Sequence, residues 1–149
     1  MVKVFVTGGT GYIGSRVVKA LLAEGHTVTA LSRRTGTDLE KLDVRVVQGN
    51  LKDLDTIAAA AAEADAVMHL AFEHDFTQYG KSVEQDTEVV HIINKSLAGS
   101  GKLFVMTSAT GVVGDTGKDL ADETVPAKGL RAAPEPATLE VSLHCPFLA

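Results

Sequence analysis

A stretch of eight residues near the N-terminus has the composition and spacing of a phosphate-binding turn. Residues 7–14 read TGGTGYIG and lie between a short apolar run at 2–6 and a helix-like run at 15–22. Glycine lets the backbone turn tightly and approach a phosphate, and the N-terminus of the following helix offers free N–H groups and the positive end of its dipole. The order strand, glycine turn, helix therefore predicts that the chain binds a dinucleotide through its pyrophosphate.

Two glycine patterns fit this turn. Gly9, Gly11 and Gly14 match GxGxxG, whereas Gly8, Gly11 and Gly14 match TGxxGxxG with Thr7 in front. The second pattern resembles that of the short-chain dehydrogenase/reductase superfamily, and the letters GGTGYIG are most similar to its extended and atypical branches, which include epimerase/dehydratase-like proteins. The resemblance covers most of the chain and implies a Rossmann-type fold with NAD(P)-dependent chemistry. The turn residues expected to contact the cofactor are Thr7, Gly8, Gly11, Tyr12, Ile13 and Gly14.

The residues that follow the second predicted strand indicate which nucleotide is bound. Enzymes of this fold that prefer NAD usually place an acidic residue here to hold the ribose 2′-hydroxyl. This chain has Ser32, Arg33 and Arg34 instead. Two guanidinium groups beside a hydroxyl suit a 2′-phosphate, which takes charge-assisted and often bidentate donors. We therefore predict NADP in preference to NAD, the alternative being a pair of solvated arginines at the mouth of a loop.

Further cofactor contacts are expected at the carboxyl ends of the other strands, where this fold binds ligands. Asn50 and Leu51 follow the third strand. The superfamily usually has an aspartate in place of Asn50, near the adenine amino group, but an amide also donates and accepts hydrogen bonds. Leu70 and Ala71 end the fourth strand and resemble the superfamily's HLA segment, which lines the cofactor. Thr107 ends the fifth strand, near the expected nicotinamide ribose, and core packing is the alternative for the apolar residues.

The catalytic groups of the superfamily are only partly present. Its members use a serine or threonine after the fifth strand and a Tyr-x-x-x-Lys motif on the next helix. Ser108 matches the serine, but the motif is absent, and Arg131 and Glu135 stand where its tyrosine and lysine would be. Arginine cannot donate a proton near neutral pH. The candidate replacement is His74, beside Asp75, because histidine titrates near neutral pH; the alternative is a polar residue of a surface loop.

Alternating strands and helices must position these residues. The apolar patterns predict strands over residues 3–7, 27–31, 44–48, 66–70 and 102–107, and helices over residues 11–24, 55–63 and 83–98. Asp53 is expected to cap the second helix. Segments 33–42, 72–80 and 111–128 are expected to be loops, and a further helix is expected to begin near Pro136. The alternation predicts an α/β fold, a Rossmann-type doubly wound parallel sheet with strand order 3-2-1-4-5 and helices on both faces.

Composition narrows the function classes. The 149 residues carry a net charge of −5 and are 45% hydrophobic, which suits one dinucleotide-binding domain over residues 1–149 and argues against nucleic acid as a partner. The longest apolar run is too short to span a bilayer and no signal peptide is recognised, so a cytoplasmic protein without membrane association is expected. Cys145 is the only cysteine, so no intrachain disulfide can form. The dispersed histidines predict no metal site, and His69 is expected to be a hydrogen-bonded core residue.

Three functions remain open at this point. The first is the NADP-binding domain of an atypical short-chain dehydrogenase/reductase, which transfers hydride between NADP(H) and a small carbonyl, alcohol or sugar-like substrate, with Ser108 orienting the substrate oxygen. The second is a catalytically inactive nucleotide-binding sensor or interaction module, which the missing tyrosine and lysine favour. The third is a nucleotide-sugar epimerase/dehydratase-like protein. The superfamily's C-terminal substrate region is missing, so a truncated chain is expected, and apolar surface exposed on the fifth strand predicts a homo-oligomer.

Overall fold

Strands and helices alternate along the chain, as the hydrophobic pattern predicts. The structure, a computed structural model, describes residues 1–120, 122, 124–126 and 128. The strands are β1 (Lys3–Thr7), β2 (Thr27–Ser32), β3 (Val44–Gln48), β4 (Ala66–His69) and β5 (Leu103–Met106). The α-helices are α1 (Tyr12–Ala23), α2 (Leu54–Glu63) and α3 (Tyr79–Leu97). Short 3₁₀ helices occupy Asp38–Lys41, Phe76–Gln78 and Thr110–Val113.

The five strands form one parallel sheet in the order β3-β2-β1-β4-β5, which confirms the predicted topology. In the central strand β1, Val6 pairs with Ala30 of β2 and with Met68 of β4. The strand order reverses direction between β1 and β4, and in such sheets the crevice at the carboxyl ends of these strands is where ligands bind. Thr7, the last residue of β1, pairs with His69. The glycine turn and the loop after β4 therefore begin side by side.

Apolar side chains pack on both faces of the sheet. On one face Phe5 packs with Ile57 of α2 and Ile93 of α3. On the other face Val6 packs with Val18 of α1. All five side chains are fully buried. Because successive residues of a strand point to opposite faces, a sheet covered on both sides needs runs of apolar residues, which is the pattern read from the sequence.

All three segments predicted as loops contain or overlap a short 3₁₀ helix. Leu39 is buried with the apolar cluster on the α1 face, and this anchor holds the Asp38–Lys41 segment in a 3₁₀ helix. The start of α3 at Tyr79 is earlier than predicted. A 3₁₀ helix at Phe76–Gln78 leads directly into α3, and Asp75 caps it with its side chain. The prediction of a loop up to residue 80 is therefore wrong at its C-terminal end.

Asp53 occupies the N-cap position of α2, but its side chain makes no capping hydrogen bond. The carboxylate instead accepts from the backbone N–H and from the side-chain amide of Asn50, each at 2.7 Å. The predicted capping bond is therefore wrong, because the donors of the preceding turn take the carboxylate.

Several predictions are left open by the described part of the chain. The helix expected near Pro136, the segment 131–135 and Cys145 lie outside it. Among the described residues, no helix is both long enough and apolar enough to cross a membrane.

On β5, at one edge of the sheet, Leu103 is 44% exposed and Val105 is 37% exposed. The homo-oligomer that such surface suggests stays a prediction.

Candidate functional site

The glycine turn joins β1 to α1 and packs against the end of β4. Gly8 has φ +74°, a left-handed conformation that favours glycine, and its carbonyl accepts from the N–H of Gly11 at 2.9 Å. A Cβ on Gly8 would lie 2.7 Å from the backbone nitrogen of Ala71. A Cβ on Gly14 would collide with the Gly8 carbonyl oxygen, whereas one on Gly9 would meet its nearest neighbours at 3.4 Å. The geometry therefore requires glycine at Gly8 and Gly14, the first and last glycines of the TGxxGxxG pattern, and not at Gly9.

The N-terminus of α1 is open towards the carboxyl edge of the sheet. Gly11 is the N-cap, and within the described residues no side chain caps the helix and no acidic residue occupies its first turn. The first N–H groups of a helix lack partners within the helix and lie at the positive end of its dipole. The side chains of Tyr12 and Ile13 are largely exposed there. This turn therefore has the free donors and the favourable field that an anionic group such as a phosphate needs.

Arg16, in the first part of α1, is a residue that the sequence analysis missed. Its guanidinium carbon lies 3.9 Å from the centre of the Tyr12 ring, and Nη1 donates to the Tyr12 carbonyl oxygen at 2.8 Å. Stacking of this kind is a cation–π contact, and it holds a permanent positive charge next to the glycine turn. The signal that could have found it is the i, i+4 spacing of the two residues on a helix.

A buried hydrogen-bonded network lies beneath the glycine turn. Thr7 Oγ1 is 2.6 Å from His69 Nδ1, and His69 Nε2 is 3.0 Å from an Asp86 carboxylate oxygen. All three side chains are at most 1% exposed. The expected hydrogen-bonded core role of His69 is confirmed. Asp86 was missed, because it lies on α3 and no local pattern in the sequence relates it to a strand residue.

One tautomer of His69 gives the network a consistent direction. The neutral tautomer of His69 with its proton on Nε2 satisfies both contacts, because Nε2 then donates to the Asp86 carboxylate and Nδ1 accepts from the Thr7 hydroxyl. The Thr7 oxygen in turn accepts from the N–H of Ala71 at 3.4 Å. Ala71 is also the residue that a side chain at Gly8 would strike. The network therefore fixes the distance between the glycine turn and the end of β4.

Ser32, at the end of β2, is buried and holds a tight turn. Its hydroxyl donates to the carbonyl oxygen of Arg34 at 2.8 Å and accepts from the N–H of Arg34 at 3.3 Å. Arg33 and Arg34 are exposed. In the part of the chain that the structure describes, neither guanidinium joins an ion pair. The turn thus leaves two unpaired cations at the position where the sequence predicts the 2′-phosphate.

The end of β3 is held by local hydrogen bonds. The Asn50 side-chain amide donates to Asp53 at 2.7 Å, and its carbonyl oxygen accepts from the N–H of Lys52 at 2.8 Å. The N–H of Gly49 donates to the Ser32 carbonyl oxygen at 2.9 Å, which joins the ends of β2 and β3. Leu51 packs against the apolar cluster on the face of α2 and α3. Both polar side-chain atoms of Asn50 are thus engaged within the turn and Leu51 packs against the core, while their cofactor contacts stay predictions.

The predicted residues of β4 and β5 come together beside the glycine turn. The N–H of Leu70 donates to the Thr7 carbonyl oxygen at 3.2 Å, and the N–H of Thr107 donates to the His69 carbonyl oxygen at 3.0 Å. The Leu70 side chain packs against the cluster on the α1 face. Ser108 is exposed just after β5. Residues from β1, β4 and β5 therefore meet at one edge, as the fold class predicts.

His74 and Asp75 do not form the pair that their adjacency suggests. His74 Nδ1 lies 3.1 Å from the carbonyl oxygen of Phe72. The Asp75 carboxylate accepts from the hydroxyl of Thr77 at 2.6 Å and from its backbone N–H at 3.0 Å. These two hydrogen bonds, the hydroxyl first, lower the pKa of the Asp75 carboxyl. Asp75 is committed to the short helix that follows it, so the predicted histidine–carboxylate pair is wrong, while a catalytic role of His74 stays a prediction.

Four aromatic side chains gather in the loop after β4 and at the start of α3. We call Phe72, His74, Phe76 and Tyr79 the aromatic cluster. The Phe72 ring lies 5.3 Å from the His74 ring and 5.9 Å from the Tyr79 ring, measured between centroids. The Phe76 ring lies 6.1 Å from the His74 ring and 6.5 Å from the Tyr79 ring, to which it is nearly parallel at 8°. The sequence predicts a loop over residues 72–80, but no local pattern in it indicates that these rings meet.

Known proteins that resemble this chain share its sheet and helices. The family described as "NAD dependent epimerase/dehydratase family" matches residues 4–133. An uncharacterized protein from Saccharomyces cerevisiae is 38% identical over 112 residues, which are 72% of this chain and 38% of that protein. The structure of UDP-glucose 4-epimerase from Thermotoga maritima superposes with a TM-score of 0.75 at 18% identity, covering 95% of this chain and 50% of that one. Vestitone reductase from alfalfa gives a TM-score of 0.70 at 23% identity, covering 97% and 54%.

This chain spans about two fifths to one half of the length of these proteins. In the described residues, no group of three or more histidine, cysteine or acidic side chains is arranged to hold a metal ion. The family match covers well over half of the chain, and the solved structures share the five-stranded fold. The resemblance read from the glycine turn is thereby confirmed. The chain belongs to the NAD-dependent epimerase/dehydratase family.

Proposed function

We propose that this chain is the NADP-binding part of an oxidoreductase that transfers hydride between the nicotinamide and a small carbonyl or alcohol. The observation that carries the proposal is the glycine turn. Gly8 and Gly14 let the turn pack against the end of β4, and the uncapped N-terminus of α1 lies beside it. A pyrophosphate placed there meets free backbone donors and the positive end of the helix dipole. Arg16 adds a positive charge at the same edge.

The preference for NADP over NAD rests on the end of β2. NAD-preferring enzymes of this fold need a carboxylate to hold the ribose hydroxyls. Here the turn carries Ser32, Arg33 and Arg34, and both arginines are exposed without an ion-pair partner among the described residues. A 2′-phosphate would supply the missing anion and would take charge-assisted hydrogen bonds from them.

The remaining candidates divide between holding the nucleotide and handling the substrate. Thr107 lies next to the end of β4, where its backbone N–H donates to the His69 carbonyl oxygen, and is the candidate to contact the nicotinamide half. Ser108, exposed just beyond it, is the candidate to orient the substrate oxygen. His74 is exposed, with one ring nitrogen held by the Phe72 carbonyl, and is the candidate proton donor. A bound nicotinamide nucleotide supplies the hydride-transfer chemistry.

The experiment is a titration with NADPH and with NADH, followed by nicotinamide fluorescence. The chain has no tryptophan, so the protein background is low. We expect tighter binding of NADPH, and we expect Arg33→Ala or Arg34→Ala to weaken NADPH about tenfold while leaving NADH unchanged, since a charge-assisted hydrogen bond contributes roughly 1.5–3 kcal/mol. The control is Arg45→Ala, an exposed arginine paired with Glu63 on another part of the surface. Equal affinity for the two nucleotides, or no binding of either, would overturn the proposal.

A second candidate is a nucleotide-sugar epimerase or dehydratase. The family match favours it, as does the likeness in fold to a UDP-glucose 4-epimerase.

A third candidate function is a nucleotide-binding module without turnover, which the absence of a Tyr-x-x-x-Lys motif from the sequence favours. NADPH consumption with a panel of carbonyl compounds supports the oxidoreductase, and conversion of a UDP-sugar supports the epimerase. Tight nucleotide binding with neither reaction supports the module.

A further inference from the structure

The aromatic cluster is the largest group of ring side chains at the ligand edge of the described sheet, and no function assigned above uses all of it. Phe72, His74, Phe76 and Tyr79 contact one another in a closed circuit with centroid distances of 5.3–6.5 Å. Phe76 is nevertheless 77% exposed. A single exposed apolar residue needs no explanation, but adjoining exposed rings form a surface that water solvates poorly and that a ligand can cover.

The cluster is continuous with the proposed nucleotide site. Phe72 directly follows Ala71, whose backbone nitrogen lies against the glycine turn and within hydrogen-bond reach of the Thr7 hydroxyl. Thr107, expected near the nicotinamide, bonds to the end of the same strand, β4. A compound resting on the rings therefore lies beside the end of β4, at the edge of the sheet where this fold binds its ligands.

The charges around the cluster select against anionic ligands. Glu73 and Asp75 alternate with the ring residues in the sequence, and they line an open hollow together with two further acidic side chains, Glu84 and Glu88, and two lysines, Lys52 and Lys81. Lys81 donates to the side-chain oxygen of Gln78, which holds it along α3. A net negative field repels phosphate and carboxylate groups and leaves neutral ligands unaffected.

We propose that the aromatic cluster is a substrate subsite for a planar, uncharged aromatic ring, and not for the diphosphate or sugar of a nucleotide sugar. Phe76 supplies the exposed ring face, and Tyr79 and His74 hold it in place. Offset or edge-to-face contacts between rings favour a flat aromatic partner over an aliphatic one. This inference rests on the proposed oxidoreductase function, because it names the class of compound that would lie next to the nicotinamide.

The test measures binding of 2-acetylnaphthalene, a neutral planar ketone, by saturation-transfer NMR with and without NADPH. We expect Phe76→Ala to weaken this binding about tenfold, since aromatic pairs contribute roughly 0.5–1.5 kcal/mol beyond the area they bury. Phe76 is largely exposed, so the variant is expected to keep its fold. The matched control is Leu120→Ala, which removes an even more exposed apolar side chain outside the cluster and is expected to leave the affinity unchanged.

The charge of the ligand provides a second, independent test. The carboxylate analogue 6-acetyl-2-naphthoate is expected to bind several-fold more weakly than the ketone, and Glu73→Gln is expected to narrow that difference. The inference is overturned if the ketone does not bind, if Phe76→Ala leaves its affinity unchanged, or if UDP-glucose binds and displaces it. Failure of NADPH to bind, with ring binding intact, overturns the proposed oxidoreductase function instead, so the two failures are distinguishable.

Discussion

The buried network and the aromatic cluster both adjoin the end of β4, and each contains one histidine. His69 is 1% exposed and uses both ring nitrogens, one towards Thr7 and one towards Asp86. His74 is exposed and uses one ring nitrogen, towards the Phe72 carbonyl. A buried polar group must find its partners within the protein, so the first histidine is fixed in place. An exposed one has water as an alternative, which leaves the second available to a ligand.

The largest loss of stability should come from a substitution in the glycine turn, which the buried network supports. Gly14→Ala would drive a Cβ into the Gly8 carbonyl oxygen, a backbone atom that cannot move aside cheaply. We expect a loss of about 1–3 kcal/mol in the free energy of unfolding, as for other overpacked sites, together with loss of nucleotide binding. Urea denaturation and the NADPH titration measure the two effects.

The control for this variant is Gly9→Ala in the same turn. Its Cβ would meet the side chains of Ala30 and Val18 at 3.4 Å, which is ordinary contact. Gly9 is thus expected to tolerate alanine with a small change in stability. If Gly9→Ala proved as damaging as Gly14→Ala, the pattern GxGxxG rather than TGxxGxxG would describe the requirement for glycine.

The next largest effect should come from breaking the buried network at Asp86. Asp86→Ala leaves the Nε2–H of His69 buried without its acceptor, and an unsatisfied buried donor costs about 1–3 kcal/mol. Glu88→Ala, on the same helix but exposed, is the control and is expected to change stability by less than about 0.5 kcal/mol. Urea midpoints measure both. Equal midpoints for the two variants would mean that the network does not stabilise the domain.

The sheet could be predicted from the sequence because its strands are short apolar runs bounded by turn residues. The bounds of β1 and β3 agree with the prediction, and the strand order follows from the alternation of strands and helices. The start of α3 could not be predicted from periodicity. Its first turn contains Gly80 and Lys81 rather than an apolar face, and what precedes it is the capped 3₁₀ helix at Phe76–Gln78 and the ring contacts of Tyr79.

The candidate site also has one part that could be predicted from the sequence and another part that could not. The glycine turn is local in sequence, so its pattern alone indicates its geometry. The partnership of His69 with Asp86 joins a strand to a helix, and that of Asp53 with Asn50 replaces an expected helix cap by a turn. Both depend on which donor lies nearest to a carboxylate once the elements have packed. Side-chain partners set by packing leave no periodic signal in a single sequence.

The smallest effect should come from Asp75, on the aromatic-cluster side. Hydrogen bonds from Thr77 lower the pKa of its carboxyl below the ordinary value of 3.8. A group with a lower pKa in the folded state stabilises the fold above its unfolded pKa and loses that contribution as the pH falls through its folded pKa. Asp75→Asn should therefore be slightly less stable than the wild type at neutral pH, and the difference should shrink as the pH falls below about 4.

The measurement is the urea midpoint of the wild type and of Asp75→Asn at a series of pH values. Glu73→Gln is the control, because Glu73 is exposed and accepts no hydrogen bond among the described residues. Any pH dependence specific to Asp75→Asn then belongs to the cap of the Phe76–Gln78 helix. A difference that persisted unchanged into acid would mean that the amide disturbs the loop for another reason. A difference that closes as expected assigns the Asp75 carboxylate to this cap, which it forms through its hydrogen bonds from Thr77.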